Sequence, residues 1–116
     1  MKLIIAGGRD YKRQPGDVEW LSQIHEDCHV TEVVSGRAQG ADRLGELWAR
    51  ANGIPVARFP ADWNRYGLRA GPLRNFLMAE YADAVALFPG GKGTANMRKC
   101  AKEKGLQIFD RVPVSA

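Results

Sequence analysis

Cysteine is scarce in this chain of 116 residues: Cys28 and Cys100 stand alone, with no partner at metal-ligand or redox-motif spacing. That speaks against a disulfide-stapled scaffold, and both thiols, at apolar helical positions, read as reduced core residues. No apolar run approaches the ~20 residues of a membrane span, and Met1-Lys2 leads into an apolar strand pattern rather than a signal peptide. The expected location is therefore the cytoplasm. Low-complexity tracts, internal repeats and blocks of like charge are absent too. The net charge of +4, from 17 basic and 13 acidic residues, suits an anionic partner but marks no nucleic-acid arm. With 45% apolar and 26% charged residues, positions 1–116 read as a single globular domain.

What is present is an alternation of two periods. Short apolar runs at Leu3–Ala6, Glu32–Ser35, Pro55–Phe59, Ala84–Phe88 and Gln107–Phe109 read as buried strands bounded by Gly or Pro. Between them lie four helical faces: Val18, Leu21, Ile24 and Cys28; Leu44, Leu47, Trp48 and Ala51; Leu73, Phe76, Leu77 and Tyr81; Met97, Cys100 and Ala101. Gly53 and Gly105 stand where helices two and four should end. Five strands alternating with four helices predict an α/β fold: a Rossmann-like three-layer sandwich, its parallel sheet of about five strands covered by helices on both faces. Only the last few residues, Val112 to Ala116, are expected to form a disordered tail.

In such a sheet, ligands bind outside the carboxyl ends of the strands, where strand order reverses. The unusual residues collect there, in Gly7-Gly8-Arg9-Asp10, in Gly36-Arg37-Ala38-Gln39-Gly40-Ala41-Asp42, in Asp62-Trp63, and in Pro89-Gly90-Gly91-Lys92-Gly93-Thr94. With strand order 3-2-1-4-5, the two double-glycine turns face each other across one crevice. Gly90, Gly91 and Gly93 let backbone approach a ligand, and the helix that follows offers unpaired N–H groups to a phosphate, with Thr94 capping the helix or bonding a phosphate oxygen. This is not a Walker A loop, because Gly93 follows Lys92, and Asn96 stands where the dinucleotide fingerprint needs its third glycine.

Gly36, Arg37, Gly40 and Ala41 form a second candidate cradle, with Asp42 as a helix cap or an acceptor for a ribose hydroxyl. Arg9 and Asp10 either pair with each other or divide a phosphate and a sugar between them. The polar stretch Asp62 to Asn75 reads as a functional loop of ten or so residues before the third helix. In it Trp63 can stack on a base, Arg69 can hold phosphate beside Gly71, and Arg74 and Asn75 occupy the first helical turn. His25-Glu26-Asp27-Cys28-His29 matches the H-E-x-x-H zinc pattern, but it closes the first helix at the opposite end of the sheet. The helix dipole accounts for its histidines, and neither metal nor cofactor is expected.

The ordered motifs GGRDY, VVSGRAQGADRLGELWA, PVARFPADWNRYGLRAGPLRN, MAEYADAVALFPGGKGTANM and AKEKGL span nearly the whole chain. In this set the sequence resembles the small YspA-like proteins of the SLOG superfamily, relatives of the Lonely Guy phosphoribohydrolases and of DNA-processing proteins. The resemblance implies a nucleotide or nucleotide-derived ligand, a bacterial or phage origin, and a part in nucleotide signalling during conflict. The Lonely Guy enzymes cleave the N-glycosidic bond of nucleoside monophosphates with a glutamate three residues after the glycine-motif threonine. Here that position is Met97, while Arg74 matches their arginine, and Gln39 stands where the family usually carries arginine.

The resulting expectation is a binder, a sensor or sequestering sponge for a cyclic or ADP-ribose-like nucleotide. The alternatives are a hydrolase using Asp10, Asp42 or Asp62, and single-stranded nucleic-acid binding, which the mild charge disfavours. Apolar helix faces in excess of what one small sheet covers predict a homo-oligomer.

Overall fold

In the computed structural model, which describes residues 1–112, five strands form one all-parallel sheet: β1 (Lys2–Ala6), β2 (Glu32–Ser35), β3 (Val56–Arg58), β4 (Ala84–Leu87) and β5 (Gln107–Asp110). Their order is β3-β2-β1-β4-β5, as expected, so strand order reverses between β1 and β4. In the central strand, Leu3 stands opposite Val33 on one side and Ala84 on the other. The inner strands β1, β2 and β4 are largely apolar and buried because both faces of the sheet are covered there.

Helices α1 (Asp17–Cys28) and α2 (Ala41–Ala51) cover one face, packing Leu21, Ile24, Leu44 and Trp48 onto Leu3, Ile5, Val33 and Phe88. After β3 come a short helix, α3 (Trp63–Tyr66), a 3-10 turn (Gly67–Arg69) and α4 (Ala70–Tyr81). Together α4 and α5 (Lys92–Glu103) cover the other face, where Met78, Ala79, Met97 and Cys100 meet Ile4, Val34, Val85 and Leu87. Gly53 and Gly105, just past α2 and α5, take the positive φ values of +67° and +70° that such helix ends call for.

Three expectations need correcting. Strands three and four stop at Arg58 and Leu87, short of Phe59 and Phe88, although the N–H groups of both phenylalanines still bond the neighbouring strand, to Ser35 O and Ala6 O. The stretch Asp62 to Asn75 is not a loop. The Asp62 carboxylate accepts the Arg65 N–H at 3.1 Å and caps α3, while the Trp63 ring lies so close over Gly71 that a Cβ there would come within 3.2 Å of it. The chain is therefore helical from Trp63, the expected four helices become five, and Arg74 and Asn75 stand in the second turn of α4.

The third correction concerns which side of α4 is buried. Leu73, Phe76, Leu77 and Tyr81 are 37 to 45% exposed, and the buried positions are Ala70, Gly71, Asn75, Met78 and Ala79. Small residues let α4 approach the sheet and α5 closely, and apart from Met78 its large apolar residues are turned outward. Leu47 of α2 is likewise exposed, whereas Leu44 and Trp48 point inward.

No helix among the described residues is long and apolar enough to cross a membrane. Of the tail expected at Val112 to Ala116, Val112 is exposed and the rest lies outside the described residues.

Candidate functional site

The three turns above β1, β2 and β4 are joined edge to edge. Gly8 donates its N–H to Pro89 O at 2.9 Å, and its carbonyl accepts the N–H groups of Tyr11 and Ala41 at 3.2 Å. Gly40, at φ +72°, lies so near the first turn that a Cβ would come within 2.6 Å of Arg9 O. A Cβ on Gly90 would come within 2.6 Å of Gly8 N, and one on Gly7 within 2.7 Å of Ala41 and Phe88. At these positions the close approach that glycine permits is taken up by turn packing on turn.

Gly91 and Gly93 differ, because no atom lies within 4 Å of a Cβ built on either. Gly91 is the N-cap of α5 and makes no side-chain capping bond, and the helix's first bond runs from Ala95 N–H to Gly91 O at 3.0 Å. Thr94 therefore stands inside the first turn and does not cap the helix. The N–H groups of that turn lie at the positive end of the helix dipole beside exposed Lys92, where the surface at Gly91 and Gly93 is open.

A chain of hydrogen bonds leads to this turn. The Arg74 guanidinium donates from Nη1 to Gly36 O at 2.6 Å and from Nε to Asn75 Oδ1 at 2.9 Å. Asn75 Nδ2 in turn donates to Asn96 Oδ1 at 2.9 Å and to Gly93 O at 3.3 Å. Arg74 Nη2 makes no hydrogen bond to the described residues, so that end is available to an anion.

Asp42 joins this group from α2. It does not cap the helix, whose N-cap is Gly40. Instead its Oδ2 accepts the Ala38 N–H at 3.2 Å, and a Cβ on Gly36 would meet both that oxygen, at 3.0 Å, and Arg74 Cζ, at 2.9 Å. Burial pushes the Asp42 carboxyl up to about 6, and the Ala38 N–H and the Arg74 charge offset only part of that effect. Burial also lowers Arg74, with Asp42 opposing it.

A raised carboxyl value means the folded state holds its proton more tightly. Asp42 therefore favours the fold below the ordinary value of 3.8, and that contribution is lost as pH rises through about 6. Asp42→Asn keeps an oxygen for the Ala38 N–H without the buried charge. It is expected to stabilise the protein at pH 7 by on the order of 1–2 kcal/mol and to flatten the pH dependence between those two values, as measured by urea denaturation at several pH values.

The remaining candidates fall elsewhere. Arg9, Asp10 and Gly40 line an open cavity with Gln39, and among the described residues Arg9 and Asp10 form no ion pair with each other. Arg37, at φ +63°, is exposed, and its N–H is held by Ser35 Oγ at 3.1 Å. Asp62, Trp63 and Arg69 belong to the exposed α3 and 3-10 segment, where Gly71 accommodates the Trp63 ring. Met97 is a core residue, 1% exposed, so the position of the Lonely Guy glutamate is here filled by packing. His25 Nδ1 accepts the Val30 N–H at 3.0 Å, and His29 is the left-handed cap of α1.

One cluster was missed by sequence reasoning. Asp17, fully buried at the start of α1, accepts the Tyr11 hydroxyl and the Gln14 N–H at Oδ2, both at 2.8 Å, and Arg111 Nε at Oδ1, also at 2.8 Å. It fastens the loop after β1 to the chain leaving β5. An aspartate opening a helix behind a glycine reads from sequence as a cap, and nothing there singles out Arg111.

The model of the YspA, cpYpsA-related SLOG family matches residues 1–66. Over 118 aligned residues, covering 94% of each chain, the protein is 31% identical to the Gene 61 protein of Mycobacterium phage D29. No solved structure matches it. The parallel sheet and these two likenesses agree: the chain belongs to the YspA, cpYpsA-related SLOG family.

Proposed function

We propose that the protein binds a small nucleotide-derived ligand by its phosphate over the first turn of α5, and that it acts as a sensor or sequestering protein in the cytoplasm. Membership of the SLOG family is consistent with a nucleotide-related ligand. The observation that carries the reading is the uncapped, open turn Gly91 to Thr94, flanked by the bonded chain Arg74–Asn75–Asn96. A cyclic or ADP-ribose-like molecule would place its phosphates there and its sugar toward Asp42. The phage-encoded relative suits a part in conflict between phage and host. The test is to incubate the protein with a nucleotide panel and follow each compound by chromatography with mass detection, before and after heat denaturation. A nucleotide that disappears and returns intact supports the reading, and a panel that remains in solution throughout overturns it.

A second reading, a hydrolase of the N-glycosidic or phosphate bond, is favoured by one observation. Of the three candidate acids Asp42 alone is buried, and its carboxyl, pushed up to about 6 by that burial, suits a general acid or base near neutral pH. In the same assay it requires release of free base or phosphate, and loss of that release in Asp42→Asn with binding retained.

The protein is further proposed to self-associate through the outward stripe of α4. Leu73, Phe76, Leu77 and Tyr81 lie three or four residues apart on one face, the spacing of a helix interface. Leu77→Glu is expected to weaken dimerisation by about tenfold or more, measured by sedimentation equilibrium, with the melting temperature of the monomer unchanged. A monomeric wild-type protein over the same concentrations would sink the assignment.

A further inference from the structure

On the face of the sheet away from α4 and α5, α1 and α2 are tied together by the Trp48 Nε1–H donated to Ser22 Oγ at 3.2 Å and by the edge of Trp48 against His25. Between these helices and the loop after β1 lies a cavity of about 450 Å3, walled by Tyr11, Val18, Leu44, Leu47, Trp48 and Ala51. A second cavity, of about 520 Å3, lies among Arg9, Asp10, Lys12, Gln39 and Arg43. Tyr11, Gly40 and Arg43 line both, so the two form one groove, apolar along α2 and basic at the carboxyl edge.

Its charge has a clear sign. Arg9, Lys12, Arg13 and Arg43 line the groove against a single carboxylate, Asp10, and among the described residues none of the four cations forms an ion pair. The aromatic residues of the groove, half-buried Tyr11 and the core residue Trp48, are fixed before any ligand arrives. The Tyr11 hydroxyl is held by Asp17, its ring rests 5.0 Å from that of Phe88, and Trp48 is pinned by Ser22. Each volume falls within the ~300–1,000 Å3 usual for small-molecule sites.

We infer that this groove is a second binding site, for a small organophosphate with a planar or apolar body, its phosphate among Arg9, Lys12 and Arg43 and its body against Leu44, Leu47 and Trp48. The site does not depend on the α5 turn, which opens beside α4 and α5, and it stands whether or not that turn holds phosphate. A groove with the half-buried Tyr11 ring as its one partly open aromatic, beside exposed Leu47, fits a single nucleoside phosphate better than a strand of nucleic acid, which needs a succession of exposed rings.

The probe is ADP, titrated into the 15N-labelled protein. The expected result is movement of the backbone amides of Arg43, Leu47 and Ala51, with affinity reduced about tenfold or more by Arg43→Glu, which removes a cation, and by Ala51→Trp, which fills the groove. Both positions are exposed, and circular dichroism confirms that the variants fold. Gly91→Asp is expected to leave these shifts in place, which separates this site from the α5 turn. Amides of α2 that do not move, shifts confined to Gly91–Thr94, or full affinity in both groove variants would each overturn the inference.

Discussion

Gly91→Asp is expected to abolish nucleotide binding at the α5 turn while leaving the melting temperature unchanged or slightly higher. The position is the N-cap of α5, its φ of −98° lies outside the left-handed region, and a Cβ there meets nothing within 4 Å. Aspartate is among the preferred N-cap residues, and replacing a glycine at that place gains a few tenths of a kcal/mol. The same carboxylate would occupy the space over the first turn and repel a phosphate arriving there. The expected loss is on the order of a hundredfold or more in affinity, about 3 kcal/mol. Calorimetric titration of whichever nucleotide the panel identifies measures the first effect, and a thermal melt the second. Unchanged affinity would remove the α5 turn from the site. Gly90→Asp is a contrast, because its side chain would collide with the Gly8 backbone and it should lose stability as well as binding.

The largest loss of stability is expected from Arg111→Met. Asp17 is fully buried, and the Arg111 guanidinium is the cation that pairs with it. Burial alone would raise the Asp17 carboxyl, but the Gln14 N–H, Arg111 and the Tyr11 hydroxyl outweigh it and hold the group below its ordinary value of 3.8. Its contribution to folding is therefore complete above that value and is lost as pH falls through the folded value. Removing the arginine strands a buried charge, at a cost of about 3–5 kcal/mol, or roughly 10–30 °C in melting temperature for a domain near 100 residues. Adding Asp17→Asn should recover much of the loss, because the stranded charge goes with it. A single variant within about 1 kcal/mol of wild type would show that the pair contributes little. The Tyr11 hydroxyl, pushed up to about 12 first by burial and then by its bond to Asp17, should be released toward ordinary titration when Asp17 is replaced by alanine.

The sheet and its order were legible because β1, β2 and β4 are buried on both faces, which leaves apolar runs cut off sharply by glycine. The α5 turn was legible for the same reason: glycines beside a helix start are unusual whatever their purpose. Sequence could not say which glycines serve the chain itself. Gly8, Gly40 and Gly90 are needed where one turn touches another, and Gly91 is not, a difference that depends on how three distant segments meet. Nor did periodicity reveal the inner side of α4. Its large apolar residues keep a helical spacing, yet Ala70, Gly71 and Ala79 lie inward, because closeness to α5 outweighs the area each larger side chain would bury. The segment from Trp63 to Arg69 mixes polar and apolar residues with no buried face, and its helical form rests on the Asp62 cap and the Trp63 ring over Gly71, contacts with no pattern to detect.

The shortness of β3 bears on how copies of this chain can meet. It is an outer strand of three residues, Val56–Arg58, with Pro55 and Pro60 close to its two ends. Proline offers no N–H to a neighbouring chain, so this margin presents few free donors and little length for an added strand to pair with. A margin so trimmed resists edge-to-edge growth into fibrils at β3, and leaves β5, the other outer strand, as the edge where such growth would have to begin.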